Sequence, residues 1–126
     1  MTVLAIALSL GLAAHADTSL ILGAVFPGWE RVDGGGLESS ATSLARDYAM
    51  QIGHTCIHTE VFIREGTRSI ITAEVFYEGF LPVGSTERIL LESIDQCVAL
   101  ISSGTMLSDA LSVMVTLDDA VVLILC

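Results

Sequence analysis

Residues 111–126 read LSVMVTLDDAVVLILC, and their pattern decides what kind of sheet this chain builds. Leu111, Val113, Val115 and Leu117 alternate with Ser112, Met114 and Thr116, the period of two that sends successive side chains to opposite faces of a strand. Asp118-Asp119 supplies turn residues, and Ala120 to Cys126 then runs on without a polar side chain. Two strands joined by so short a polar break predict a hairpin. A strand with one wet face carries polar residues at alternate positions. Val121-Val122-Leu123-Ile124-Leu125 carries none, so it is predicted to be covered on both faces.

Upstream, Pro82 and Gly84 break the chain and Ser85 or Thr86 can cap a helix, after which Leu90, Ile94, Cys97, Val98 and Ile101 recur at helical spacing until Gly104. Leu91 and Leu100 widen the stripe, which predicts a helix touching two neighbours. Thr55 to Ile63 and Ser69 to Tyr77 are rich in Ile, Val, Thr and aromatic residues and are joined through Glu65-Gly66-Thr67-Arg68, predicting a second hairpin. Before it, Leu37, Ala41, Leu44, Tyr48 and Ile52 mark one face of another helix, with Glu38 in its first turn and Gly53 as a left-handed stop. At the start, large and small residues alternate over Val3 to Ala14, and Ser19 to Phe26 is a similar run ended by Pro27-Gly28. The expected fold is one α+β domain over residues 1–126, ordered ββαββαββ, with six mostly antiparallel strands in three hairpins and two helices on one face.

Length and composition agree with a single domain, because 126 residues with 52% hydrophobic content are neither disordered nor long enough for two domains. Charged residues make up only 16%, against a usual ~25%. Two helices cover one face of a sheet, so the second apolar face is expected to pack on another copy of the chain in a closed homo-oligomer such as a trimer. Fifteen acids against five arginines give a net charge of −10, and Arg31, Arg46, Arg64, Arg68 and Arg88 are scattered. That excludes the clustered cations that nucleic acid and anionic membrane surfaces require, while leaving a basic ligand allowed. The Val3–Ala14 run is shorter than the roughly 20 apolar residues needed to span a bilayer.

Cys56, Cys97 and Cys126 are odd in number and lack a CxxC spacing, so they are expected to be reduced thiols of a cytoplasmic protein. The competing expectation is a secreted protein whose leader is cleaved after Ala16, since Ala14-His15-Ala16 follows the apolar run.

On a strand, His54, Cys56, His58 and Glu60 project from one side, and a three-residue turn would set His58 opposite Glu74 and His54 opposite Glu78. His54, His58 and Glu74 are therefore the candidate proton-transfer residues, and His54, Cys56 and His58 the candidate metal ligands. Trp29, Arg31 and Arg64 are the candidate ligand-binding residues, the arginines suiting an anionic substrate. The plainer reading of the same residues is cross-strand His–Glu pairs on a solvated surface and a Trp29 that packs. Asp33-Gly34-Gly35-Gly36 matches no phosphate-loop spacing, and Asp33 and Glu38 would repel an anion there. No motif identifies a cofactor. The functional expectation is a homo-oligomeric binding or structural module. The alternative is a small oligomeric enzyme, or a protein binding a small molecule or metal, with its site at a subunit boundary.

Overall fold

The computed structural model describes residues 18–65, 81–104 and 108–126. The elements are β1 (Thr18–Ser19), β2 (Ala24–Val25), β3 (Glu30–Arg31), α1 (Gly35–Ile52), β4 (Glu60–Glu65), β5 (Thr86–Glu92), β6 (Gln96–Ser102), β7 (Ala110–Leu117) and β8 (Ala120–Leu125). β1 and β2 form a ladder of their own, and the other strands form a six-stranded antiparallel sheet in the order β3-β4-β8-β7-β6-β5. The fold class is α+β, with one helix among the described residues.

The 111–126 stretch folds as its pattern dictates. β7 and β8 pair from Ser112↔Leu125 to Leu117↔Ala120, closed by a tight turn in which Asp118 takes φ 51, a left-handed conformation that Asp tolerates better than most residues. Val121, Leu123 and Leu125 point to one face, where Met114, Cys97, Ile101 and Phe62 meet them. Val122 and Ile124 point to the other, against Val98, Leu111, Val113 and the helix. Leu123, Ile124 and Leu125 are at most 1% exposed, and each such burial stabilises by roughly 1.5–3 kcal/mol.

α1 lies on this second face. Its buried positions are Ala41, Ala45 and Ala49, one small residue per turn, which lets the helix axis approach the sheet closely. Leu37, Leu44 and Tyr48 flank that stripe and pack at its edges. The helix ends where the sequence predicts, at Gly53 with φ 72. Among the described residues no helix is long and apolar enough to cross a membrane.

The second predicted helix does not form. Residues 86–102 make the β5–β6 hairpin instead, turned at Ser93, whose N–H donates to Gln96 O (2.7 Å) and whose Oγ accepts from Gln96 N–H (3.2 Å). Cys97, Ala99 and Ile101 face one core while Val98 and Leu100 face the other, so β6 is apolar on both sides because it is a doubly covered strand. A wide stripe on a helix and a strand buried on both faces leave the same composition, and Cys97, Val98 and Ile101 fit either.

In each of the first two predicted hairpins, the strand that is described differs from the expectation. Ser19 to Phe26 is not one strand: it folds back on itself, with Gly23 N–H donating to Ser19 O (3.0 Å) and Leu22 N–H to Ser19 Oγ (3.1 Å). Only Glu60–Glu65 of the Thr55–Ile63 run is extended in the sheet. Phe62 and Ile63 pair with β3 on one edge and β8 on the other, and Val61 O accepts from Val32 N–H (2.8 Å). The Val3–Ala14 and Ser69–Tyr77 runs themselves lie outside the described residues.

The face opposite α1 is buried within the single chain. Leu22, Phe26 and Trp29 cover it, each at most 3% exposed, with Ile21 and Leu81 packed against them. Phe26 meets Phe62 edge to face at 5.4 Å between ring centres. Among the described residues, this cover comes from Leu22, Phe26 and Trp29, which stand in loop and turn rather than on a strand or helix.

Candidate functional site

His54 is placed by the end of the helix. Gly53 N–H donates to Met50 O and His54 N–H to Ala49 O (2.9 Å), the two bonds by which a left-handed glycine closes a helix and sends the chain off at a fixed angle. His54 therefore leaves α1 beside the residue that follows β8, and its Nε2 lies 3.1 Å from the main-chain oxygen of Cys126. That oxygen only accepts, so Nε2 carries the proton and Nδ1 of the neutral ring carries the lone pair. Cys126 is held in turn by two main-chain bonds to Leu111, which extend the β7–β8 ladder.

Residues 54–59 are irregular rather than extended, so the expected common face of His54, Cys56, His58 and Glu60 is not built. Cys56 turns inward and is joined to Cys126 in a disulfide, with Cα atoms 5.3 Å apart across 70 residues of sequence. The expectation that these two cysteines are free thiols is therefore corrected. Ile57 and His58 turn outward and are exposed, Ile57 at 87%. Thr59 Oγ1 lies 3.3 Å from Thr42 Oγ1, tying the end of the loop to the helix.

Glu60 opens β4 and is 1% exposed. Its carboxylate accepts from Ser19 Oγ (2.6 Å) and Ile21 N–H (3.3 Å) at Oε1, and from Leu20 N–H (2.8 Å) and Arg31 (3.0 Å) at Oε2. The same arginine donates to Thr18 O (2.6 Å) and lies over the Phe62 ring at 4.9 Å. A buried carboxylate is tolerated because its oxygens are matched by donors and a cation. Its effect is to hold the Leu20–Gly23 turn against the sheet.

Between that turn and the 54–58 loop lies a cleft of about 400 Å³. His54, Thr55 and His58 line it from the loop, Ser108 and Asp109 from the entry to β7, and Leu20, Ile57 and Ala110 give it apolar walls. His58 also borders a polar groove along α1, shared with Thr42, Arg46 and Asp47.

His54 and His58 are thus brought to one cleft, though not along one strand. Cys56, the third member of the predicted metal set, has its sulfur bonded to Cys126, and no three His, Cys, Asp or Glu side chains gather as a metal set among the described residues. Glu74 and Glu78 lie outside the described residues. Trp29 is 2% exposed and packs in the core. Arg31 is engaged by Glu60, and Arg64 sits opposite Val121, four residues and about 13 Å along β4 from Glu60. The remaining cysteine, Cys97, is fully buried. Burial first, and then the negative charges of Glu92 and Glu87, push its thiol up to about 11, so it is no nucleophile at neutral pH.

Three features were missed in the sequence. The Glu60 lock had a faint signal, a carboxylate opening an apolar β-branched run. The Cys56–Cys126 pair had none, since three cysteines allow any pairing. Asp109 reads as an ordinary turn residue. Comparison with protein-family models, curated proteins and solved structures finds no match to this chain.

Proposed function

We propose that this chain is a small-molecule-binding module whose site is the cleft between the Leu20–Gly23 turn and the His54–His58 loop. The observation that carries this reading is the make-up of the cleft: two imidazoles, two hydroxyls and a carboxylate converge over apolar walls in a volume of about 400 Å³. That combination of apolar body and few polar groups is what small-molecule sites use to gain affinity and orientation. Its walls are also fixed before any ligand arrives. The disulfide pins the loop, Glu60 pins the turn and the helix terminus pins His54, so little ordering remains to be done on binding. Binding is favoured over catalysis because, among the described residues, no hydrogen bond joins His54 to the Thr55 or Ser108 hydroxyl as a base activating a nucleophile would require.

The test is a fragment screen against the isotope-labelled chain by nuclear magnetic resonance. Binders are expected to shift the amides of residues 20–23, 54–58 and 108–110. A screen whose hits all map elsewhere, or which yields none, ends the proposal.

A specific observation favours self-association as a second reading. Ile89, Leu91 and Ile94 are 41%, 40% and 83% exposed along the β5–β6 hairpin at the sheet edge, apolar surface that a second copy could cover. A monomer by light scattering at high micromolar concentration ends that reading. The disulfide further supports placement in an oxidising compartment, where such bonds persist. Free-thiol counting on protein isolated under acid quench tests this: one thiol per chain is the expected result, and three would overturn it.

A further inference from the structure

Building on the cleft as a small-molecule site, we propose that its occupant is an organic ammonium ion with a short apolar body. Among the described residues that line the cleft, Asp109 is the one carboxylate and there is no arginine. The arginines the structure describes are placed elsewhere: Arg31 on Glu60, Arg46 in the groove beside α1, Arg64 toward the far end of β4 and Arg88 on β5. Among the described lining residues, an anion would meet the Asp109 carboxylate and no arginine. A chain carrying a net −10 also concentrates cations, not anions, near its surface.

Hydrogen-bond character points the same way. The Nε2 proton of His54 is already given to Cys126 O, which leaves Nδ1 as an acceptor. Asp109 accepts only, and the hydroxyls of Thr55 and Ser108 accept as readily as they donate. An ammonium group has donors and no acceptor, which complements that set. A bare metal ion does not fit it, since no three ligating side chains gather among the described residues. Leu20 and Ile57 stand 78% and 87% exposed at the cleft, and a hydrocarbon body attached to the ammonium would cover both.

The experiment titrates the full chain with phenethylammonium, phenethyl alcohol and phenylpropanoate, which share an aryl body and differ in head-group charge, following amide shifts. The ammonium is expected to shift residues around His54, Ile57, His58 and Asp109 at the lowest concentration, and added salt to weaken it. Asp109→Asn, at an exposed position, is expected to weaken the ammonium about tenfold or more and to leave the alcohol unchanged. If the alcohol or the carboxylate binds the cleft as tightly as the ammonium, the charge assignment is overturned while the cleft remains a ligand site. If fragments from the screen bind there and none of these three does, the ammonium class alone is overturned. If nothing binds there at all, the cleft reading falls and this inference with it.

Discussion

Replacing Glu60 by Gln keeps the side chain's shape and removes half of its accepting capacity. Oε1 takes Ser19 Oγ and Ile21 N–H, and Oε2 takes Leu20 N–H and the Arg31 guanidinium. Whichever end the new NH2 occupies, it faces donors where an acceptor stood. If it replaces Oε1, the Ser19 hydroxyl can rotate and accept, leaving one main-chain N–H unmatched. If it replaces Oε2, Leu20 N–H loses its partner and Arg31 keeps only Thr18 O. Hydrogen bonds to a charged group contribute about 1.5–3 kcal/mol each, and removing one member of a buried ion pair costs about 3–5 kcal/mol. The expected loss is therefore about 3–4 kcal/mol, a large part of the 5–15 kcal/mol that holds a typical domain together. Guanidinium unfolding reads it directly, because Trp29 is the only tryptophan and is 2% exposed in the folded chain. Glu65→Gln, on the same strand but exposed, is the control and should change stability by less than about 0.5 kcal/mol. Arg31→Met combined with Glu60→Gln should cost less than the sum of the single changes, since each single change already removes their shared charge pair. A Glu60→Gln loss below about 1 kcal/mol would refute the reasoning, because it would mean that the turn at residues 20–23 does not depend on this carboxylate.

Cys97 should resist alkylation: with its thiol raised from 9.0 to about 11, the thiolate fraction at pH 8 falls about 100-fold before steric exclusion is counted, and native-state labelling at the rate of a free thiol would contradict this. Because the folded value lies above the unfolded one, its contribution is complete below about pH 9 and is lost as pH rises toward 11, a fall of roughly 2–3 kcal/mol that Cys97→Ala should abolish in unfolding curves taken between those values. Cys56→Ser should lower stability by about 4 kcal/mol, the chain-entropy value for releasing a 70-residue separation, and an unfolding midpoint unchanged by reductant would count against the bond. Asp118→Gly relieves the left-handed φ of 51 at the β7–β8 turn and should be neutral to stabilising by up to about 1 kcal/mol, whereas Asp118→Val should destabilise by more than 1 kcal/mol in thermal melts.

What was legible in the sequence is what a single period specifies. α1 was readable because its alanine and leucine stripe repeats only at helical spacing and because Gly53 has no other conformational reason to stand where it does. The β7–β8 hairpin was readable because strict alternation on one strand, two aspartates and an unbroken apolar run fit no helix. Residues 86–102 were misread because burial on both faces erases the alternation that distinguishes a strand. The discriminating signal was present, though weak. Ser93-Ile94-Asp95 puts Ser and Asp, residues that favour turns, in the middle of the supposed helix, and Ile94 is 83% exposed where a helical stripe would bury it. Ile94→Gly separates the two readings: in a hairpin turn it should cost little, whereas at the centre of a buried helical face it would cost several kcal/mol.

The site was legible as residue types and not as an arrangement, for a physical reason. The sequence pointed to His54 and His58 through the side-chain alternation of a strand, but what brings them together is the end of a helix and a crosslink to a residue 70 positions away. A helix closed by Gly53 fixes where His54 N–H goes, namely to Ala49 O, and a residue bound back into the helix cannot also begin a strand ladder. The chain must then travel as loop until Glu60, where the buried carboxylate takes up the N–H groups of a turn some forty residues earlier. Local pattern therefore placed the histidines on the right stretch of chain, while long-range bonds to Cys126 and Ser19 decided which way that stretch faces. The consequence for function is testable without a ligand: reducing Cys56–Cys126 should broaden or shift the amide signals of Thr55, Ile57 and His58 while leaving those of β5 and β6 in place. Perturbation spread evenly over the sheet would mean that the crosslink serves global stability alone and that the cleft wall is held by something else.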